Sequence, residues 1–215
     1  MSSVLPSGTM LGAFLIACVV LAVTPGPGVI YIVTRSLAQG RSSGVASVMG
    51  VALGNFGNAL AAAMGLGALL AVSTMAFLVL KYAGAAYLVY LGVRAFLAPK
   101  PEVTSEASQY VQSSRIFRDG FVVALLNPKT AIFFAAFLPQ FMSANASPIL
   151  QSVTLGTLFV IIAALTDTAY ALGASAAAPI LNRIGSTRSY GRFLTGSAYV
   201  GLGLFTAVWD SRNVK

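Results

Sequence analysis

Six apolar runs, near residues 10–33, 44–71, 75–97, 119–141, 149–178 and 190–209, leave this chain of 215 residues almost no water-soluble way to fold. Each is about 20 residues or longer, enough for an α-helix to cross a hydrocarbon core of about 30 Å. Charged residues make up 8% of the chain and hydrophobic ones 57%. A soluble surface needs several times that charge. In lipid, only helices and closed barrels satisfy their own backbone. The sequence therefore predicts an all-α polytopic membrane protein with six transmembrane helices.

The basic residues orient it. Arg35 and Arg41 follow the first run; Arg94, Lys100, Arg115 and Arg118 surround the third connection; Arg183, Arg188 and Arg192 fill the fifth. The second and fourth connections hold none, and the C-terminal tail has Arg212 and Lys215. Positive residues stay inside, so connections one, three and five face the cytoplasm and both termini the periplasm. The net charge of +8 is thus topological and does not point to nucleic acid. The N-terminus, MSSVLPSGTM, lacks the basic region of a secretory signal, so the first run is expected to be retained. A five-helix count, with one run re-entrant, would place the termini on opposite sides.

Residues 98–118, APKPEVTSEASQYVQSSRIFR, form the one long polar stretch and read as a cytoplasmic linker. They divide the chain into a three-helix half, 1–97, and a second three-helix half, 119–215. With three helices each, any internal repeat must be inverted in the membrane. Gly84, Ala86 and Tyr87 repeat as Gly196, Ala198 and Tyr199, and Thr24-Pro25 is matched by Asn127-Pro128. Both halves then have a broken first helix.

The first break, TPGPG at 24–28, puts the poorest helix formers inside an apolar run. Read as N-caps, Thr24 and Asn127 each precede a proline at the first helical position, where the missing N–H costs nothing. Pro25 and Pro27 free the carbonyls of Leu21 and Val23, and Pro128 frees that of Ala124. Such backbone is tolerated at membrane depth where it is buried in protein or lines an aqueous cavity. Thr24, Pro25, Gly26, Pro27, Gly28, Asn127 and Pro128 are therefore candidate substrate-binding positions. The competing reading is two kinks that only shape packing.

Two charges lie deep in apolar runs. Lys129 sits near the midplane, where a cation costs at least about 2.5–3.5 kcal/mol; a substrate carboxylate, also held by N–H groups after Asn127 or Thr24, would offset that. Alternatively Lys129 snorkels or pairs permanently with Asp167. Asp167 either receives a substrate ammonium or carries a coupled proton. Tyr170, one turn on, is placed to orient it and is a further candidate substrate contact. Gly50, Gly54, Asn58 and Ala62 form a stripe of small or polar residues suited to close helix packing, while Asn55 and Asn58 are candidate substrate contacts. Cys18, alone, reads as a packing residue. With no histidine, and neither a ligand cluster nor a cofactor motif, no metal or cofactor is expected.

Four stretches resemble the lysine exporter / homoserine-threonine resistance (LysE/RhtB-type) family of bacterial amino-acid exporters: TPGPG at 24–28, KYAGAAYLVYLGVRAF at 81–96, FRDGFVVALLNPKTAIFFAAFLPQF at 117–141 and RFLTGSAYVGLGL at 192–204. The resemblance implies six hydrophobic segments, the bacterial inner membrane, and export of amino acids driven by protons. The family's break falls on Thr24 to Gly28, and its asparagine-proline-lysine on Asn127, Pro128 and Lys129. Members resembling the basic amino-acid exporters carry an aspartate in the second helix and another before the fourth-helix proline. Here Asn55 and Asn127 stand there, which favours a neutral substrate such as threonine, homoserine or a branched-chain amino acid.

Other functions fit less well. A cation or metal permease needs several carboxylates, imidazoles or thiolates at the midplane. An intramembrane hydrolase needs a base beside its nucleophile, and the Ser/His route is closed. The expected partners are an amino acid, protons and the bilayer, with room for a homo-oligomer.

Overall fold

The computed structural model describes residues 5–65, 73–97, 106–143, 146–184 and 190–208, all of whose regular structure is helical. The elements are α1 (Gly8–Val23), α2 (Pro27–Ala63), α3 (Thr74–Leu97), α4 (Glu106–Leu125), α5 (Pro128–Ile132), α6 (Pro148–Ile184) and α7 (Tyr190–Val208). After α5 the chain continues through a π turn, Phe133–Phe137, and a 3-10 turn, Leu138–Phe141. Among the described residues three helices, α2, α3 and α6, are long and apolar enough to cross a membrane. A fourth span arises if residues 113–125 and 128–141, bent by 47° at the break between them, count as one. The shorter α1 and residues 195–208 of α7 are apolar too.

At 37 residues, α2 would be about 55 Å long if straight, nearly twice a hydrocarbon core. Gly40, with φ 81° and ψ −170°, interrupts it; that backbone is open to glycine and strained for other residues. The first apolar run is therefore α1, a break at 24–26, and α2 as far as Gly40. The second run is the rest of α2. Its end at 66–71, Lys100 with the linker residues 98–105, Arg188 and the tail after Val208 lie outside the described residues. Within the stretch read as linker, α4 already begins at Glu106. EASQYVQSSRIFRD contains neither glycine nor proline, and its polar side chains are compatible with a helix.

Small residues set the helix spacing. Gly50 and Gly54 of the predicted stripe face the carbonyls of Phe117 and Phe121 on α4, where a Cβ would overlap them. Between α3 and α7, a Cβ on Gly92 would lie 2.8 Å from the Gly196 carbonyl, and one on Gly203 2.8 Å from that of Ala85. So α2 packs along α4 and α6, α3 pairs with α7, and α1 rests on α6. Cys18 is fully buried with Phe14, Phe133, Leu155 and Phe159, as a packing residue should be. Conversely Ile16, Met75 and Leu165 are about 70% exposed, a cost in water that lipid removes.

A buried charge cluster ties α3 and α7 to α2 and α4. Asp119, 1% exposed, accepts from Arg94 Nη2 at 2.8 Å and from the Tyr87 hydroxyl at 3.1 Å. Arg35 Nη2 lies 3.5 Å from the same carboxylate, its guanidinium over the stacked rings of Tyr31 and Tyr199. The tyrosines of the two G-x-A-Y strings thus meet at one cluster. Two expectations from the sequence fail at this cluster. Arg35 and Arg94 are not simply loop charges, and Asp167 is not the one deeply buried acid. Asp119 opens its apolar run, so distance from the run's end understated its burial.

Candidate functional site

Both predicted breaks exist, and they converge. At the second, Asn127 caps as expected: its Oδ1 accepts from Lys129 N at 3.1 Å, with Pro128 at the first helical position. Consequently that N–H is not available to a carboxylate, contrary to expectation. At the first, Thr24 is not an N-cap. It ends α1, its hydroxyl donating back to the Val20 carbonyl at 2.6 Å, and Gly26 precedes Pro27 as the cap of α2 without any side-chain bond. The counterpart of Asn127-Pro128 is therefore Gly26-Pro27.

The prolines do free the Leu21 and Val23 carbonyls, whereas Ala124 O still accepts from Asn127 N at 3.2 Å, and side chains from elsewhere reach all three. Lys129 Nζ donates to the Leu21 carbonyl at 2.8 Å and also to that of Thr24. The Tyr170 hydroxyl donates to Val23 O at 2.8 Å, and Asn58 Nδ2 to Ala124 O at 2.9 Å. Tyr170 and Asn58 are hence clamps on the breaks; neither lines the cavity described next, and Tyr170 does not orient Asp167 through a hydrogen bond.

A cavity of about 40 Å³ lies where the breaks meet, lined by Thr24, Gly26 and Gly28 from the first, Asn127 and Lys129 from the second, and Asn55 and Asp167. Gly26 is small because Lys129 crosses it: a Cβ there would sit 3.2 Å from Lys129 Cδ. Asp167 is 4% exposed, yet it makes no hydrogen bond or ion pair with any described residue. Asn55, also buried, likewise has no hydrogen bond among them. The permanent Lys129–Asp167 pair is thus not formed, although both line one cavity. Thr130, which the sequence reading passed over, accepts from Asn127 Nδ2 at 3.1 Å and completes the wall.

On the other side of Lys129 a crevice of about 1430 Å³ runs between α1, α5, α3 and α7. Pro25, Pro27 and Pro128 line this crevice and not the cavity; Leu21, Thr24, Gly26, Asn127 and Lys129 line both. Lys129 is therefore part of the partition between a small chamber of mixed polarity and a wide apolar crevice.

The LysE type translocator family matches residues 19–208. This chain belongs to that family. Among relatives of the translocator, the homoserine/homoserine lactone efflux protein of Salmonella typhimurium is 33% identical over 159 residues, 74% of this chain and 77% of its own. An uncharacterized membrane protein of Vibrio cholerae is 30% identical over 196 residues, 91% and 95% of the two chains. One of Pseudomonas aeruginosa is 32% identical over 158 residues, 71% and 73%. No solved structure matches the translocator.

If the break has a purpose beyond bending, repairing it must be harmful. Pro25→Ala with Pro27→Ala supplies N–H groups able to claim the Leu21 and Val23 carbonyls, and removes two residues unfit for the interior of a continuous helix. Export by the translocator is expected to fall to background while membrane abundance holds. Wild-type efflux from the repaired protein would reduce the break to a kink.

Proposed function

We propose that this translocator exports neutral amino acids, homoserine and threonine first among them, across the bacterial inner membrane in exchange for protons. The observation that carries the reading is one cavity holding a single cation, Lys129, and a single carboxylate, Asp167, that do not bond to each other. Such a pair complements a zwitterion. The uncapped start of α2 adjoins it at Gly26 and Gly28, adding a helix's positive end on the side of the substrate carboxylate. Asp167 then serves the amino group or the coupled proton. Asn55 and Asn127, neutral at positions where the resemblance associates aspartate with basic substrates, support a neutral cargo. The efflux activity named for the Salmonella relative agrees in class.

The proposed architecture has six spans in two inverted halves, 1–97 and 119–215, with both termini periplasmic and the 98–118 connection cytoplasmic. Binding near the junction of two broken helices is how inverted-repeat transporters hold small solutes. At about 40 Å³ the cavity is well below the roughly 300–1,000 Å³ of a typical ligand pocket, so loading requires its wall to move.

The test is export from cells fed dipeptides that release single amino acids inside. Overproduction is expected to accelerate homoserine and threonine efflux several-fold, and collapse of the proton gradient to slow it. Saturable lysine or arginine export with no effect on neutral amino acids would refute the neutral cargo.

A further inference from the structure

We infer that the carbonyls of Leu21 and Thr24 form an ammonium subsite, filled in this structure by Lys129's own ammonium, and that a transported amino acid loads by taking it over with its amino group. The identity of the incoming ammonium rests on the export reading above; the subsite itself does not.

The acceptors come from the sequence. Pro25 removes the N–H that would have bonded Leu21 O in a continuous helix, and α1 ends at Val23, presenting the negative end of a helix. Lys129 reaches both carbonyls across Gly26, from a break over a hundred residues away. A primary ammonium has three donors and no acceptor, so any other primary ammonium can replace it without changing the charge at the carbonyls. Lysine's flexible four-carbon stem allows the exchange.

Charge conservation makes the exchange selective. An arriving zwitterion brings an ammonium for the carbonyls and a carboxylate for the released Lys129, so no buried charge is stranded. A hydroxy acid would satisfy Lys129 and leave the carbonyls bare; an amino ester would satisfy the carbonyls and leave Lys129 unpaired. Asp167 and Asn55, buried on the same cavity without hydrogen bonds among the described residues, supply further polar contacts. Lys129 thus acts as a tethered stand-in for the substrate's amino end, and the partition between cavity and crevice opens when it lets go.

The experiment uses purified full-length protein and thermal unfolding. Lys129→Ala removes the stem and head, whose size matches n-propylammonium. That probe, at about 100-fold its Kd, is expected to raise the midpoint of the alanine variant by about 5 °C or more. It should do nothing to wild type, and n-propanol should not replace it. Equal effects of the amine and the alcohol, or equal effects of the amine on variant and wild type, overturn the subsite. If the alanine variant does not fold, Lys129→Met keeps the stem, and the ammonium ion replaces n-propylammonium: selective stabilisation of the variant over sodium supports the subsite, and none overturns it. Homoserine is then compared with 2,4-dihydroxybutyrate on wild type. Binding at least ten-fold tighter for homoserine is expected. An ammonium effect without homoserine binding would leave the subsite standing and remove the proposed cargo.

Discussion

Asp119→Ala is expected to remove most of the folded protein from the membrane, because it leaves Arg94 and Arg35 facing each other with no counter-charge. The carboxylate is 1% exposed and bonds Arg94 at 2.8 Å, Arg35 lies at 3.5 Å, and Tyr87 donates to its other oxygen. Removing one partner of a buried ionic group costs about 3–5 kcal/mol, a large share of the roughly 5–15 kcal/mol that hold a domain together. This cluster links the α3–α7 pair to α2 and α4, so separation should start there. Asp119→Asn keeps the shape and one acceptor and should be milder. Fluorescence-detected size exclusion of detergent extracts reads the outcome. Wild-type abundance and midpoint for Asp119→Ala would show that the cluster contributes little.

The helical fold was legible because run length and scarcity of charge are properties of the chain itself. So was the break at Asn127, where one asparagine and one proline leave a single way to start a helix. TPGPG was read two residues out of place. It offers two prolines for the first helical position, and what decided between them was the Thr24 hydroxyl turning back to Val20 O. The freed carbonyls of Leu21 and Val23 were also predictable, since they follow from proline chemistry, whereas Asn127 N still reaches that of Ala124. Their partners were not. Lys129, Tyr170 and Asn58 reach them across tertiary contacts, which periodicity does not encode, and the sequence alone assigns all three to the substrate. The Asp119 cluster was missed for the same reason: Arg35 and Arg94 each lie near the end of an apolar run, and only packing turns them inward.

Lys129→Met and Asp167→Asn should each reduce amino-acid efflux to the background of cells lacking the protein, while both variants still insert. In wild type the lysine bonds the carbonyls of Leu21 and Thr24 at a partly open break, so its loss costs less for each than the roughly 1–3 kcal/mol of a fully buried unsatisfied group, which a multi-helix membrane protein can absorb. Asp167 has no hydrogen-bond or ionic partner among the described residues, so its neutral isostere costs the fold little. Both losses should therefore appear in transport before they appear in abundance. The double variant separates this from a structural ion pair. A permanent pair predicts two unstable single variants and a recovered double, since the stranded charge disappears with its partner. A zwitterion site predicts two stable, inactive singles and a double that remains inactive, because Lys129 serves the substrate's carboxylate while Asp167 serves its amino group or the coupled proton. Efflux and membrane abundance measured on all four proteins decide it, and a double variant that regains export would sink the site proposed here.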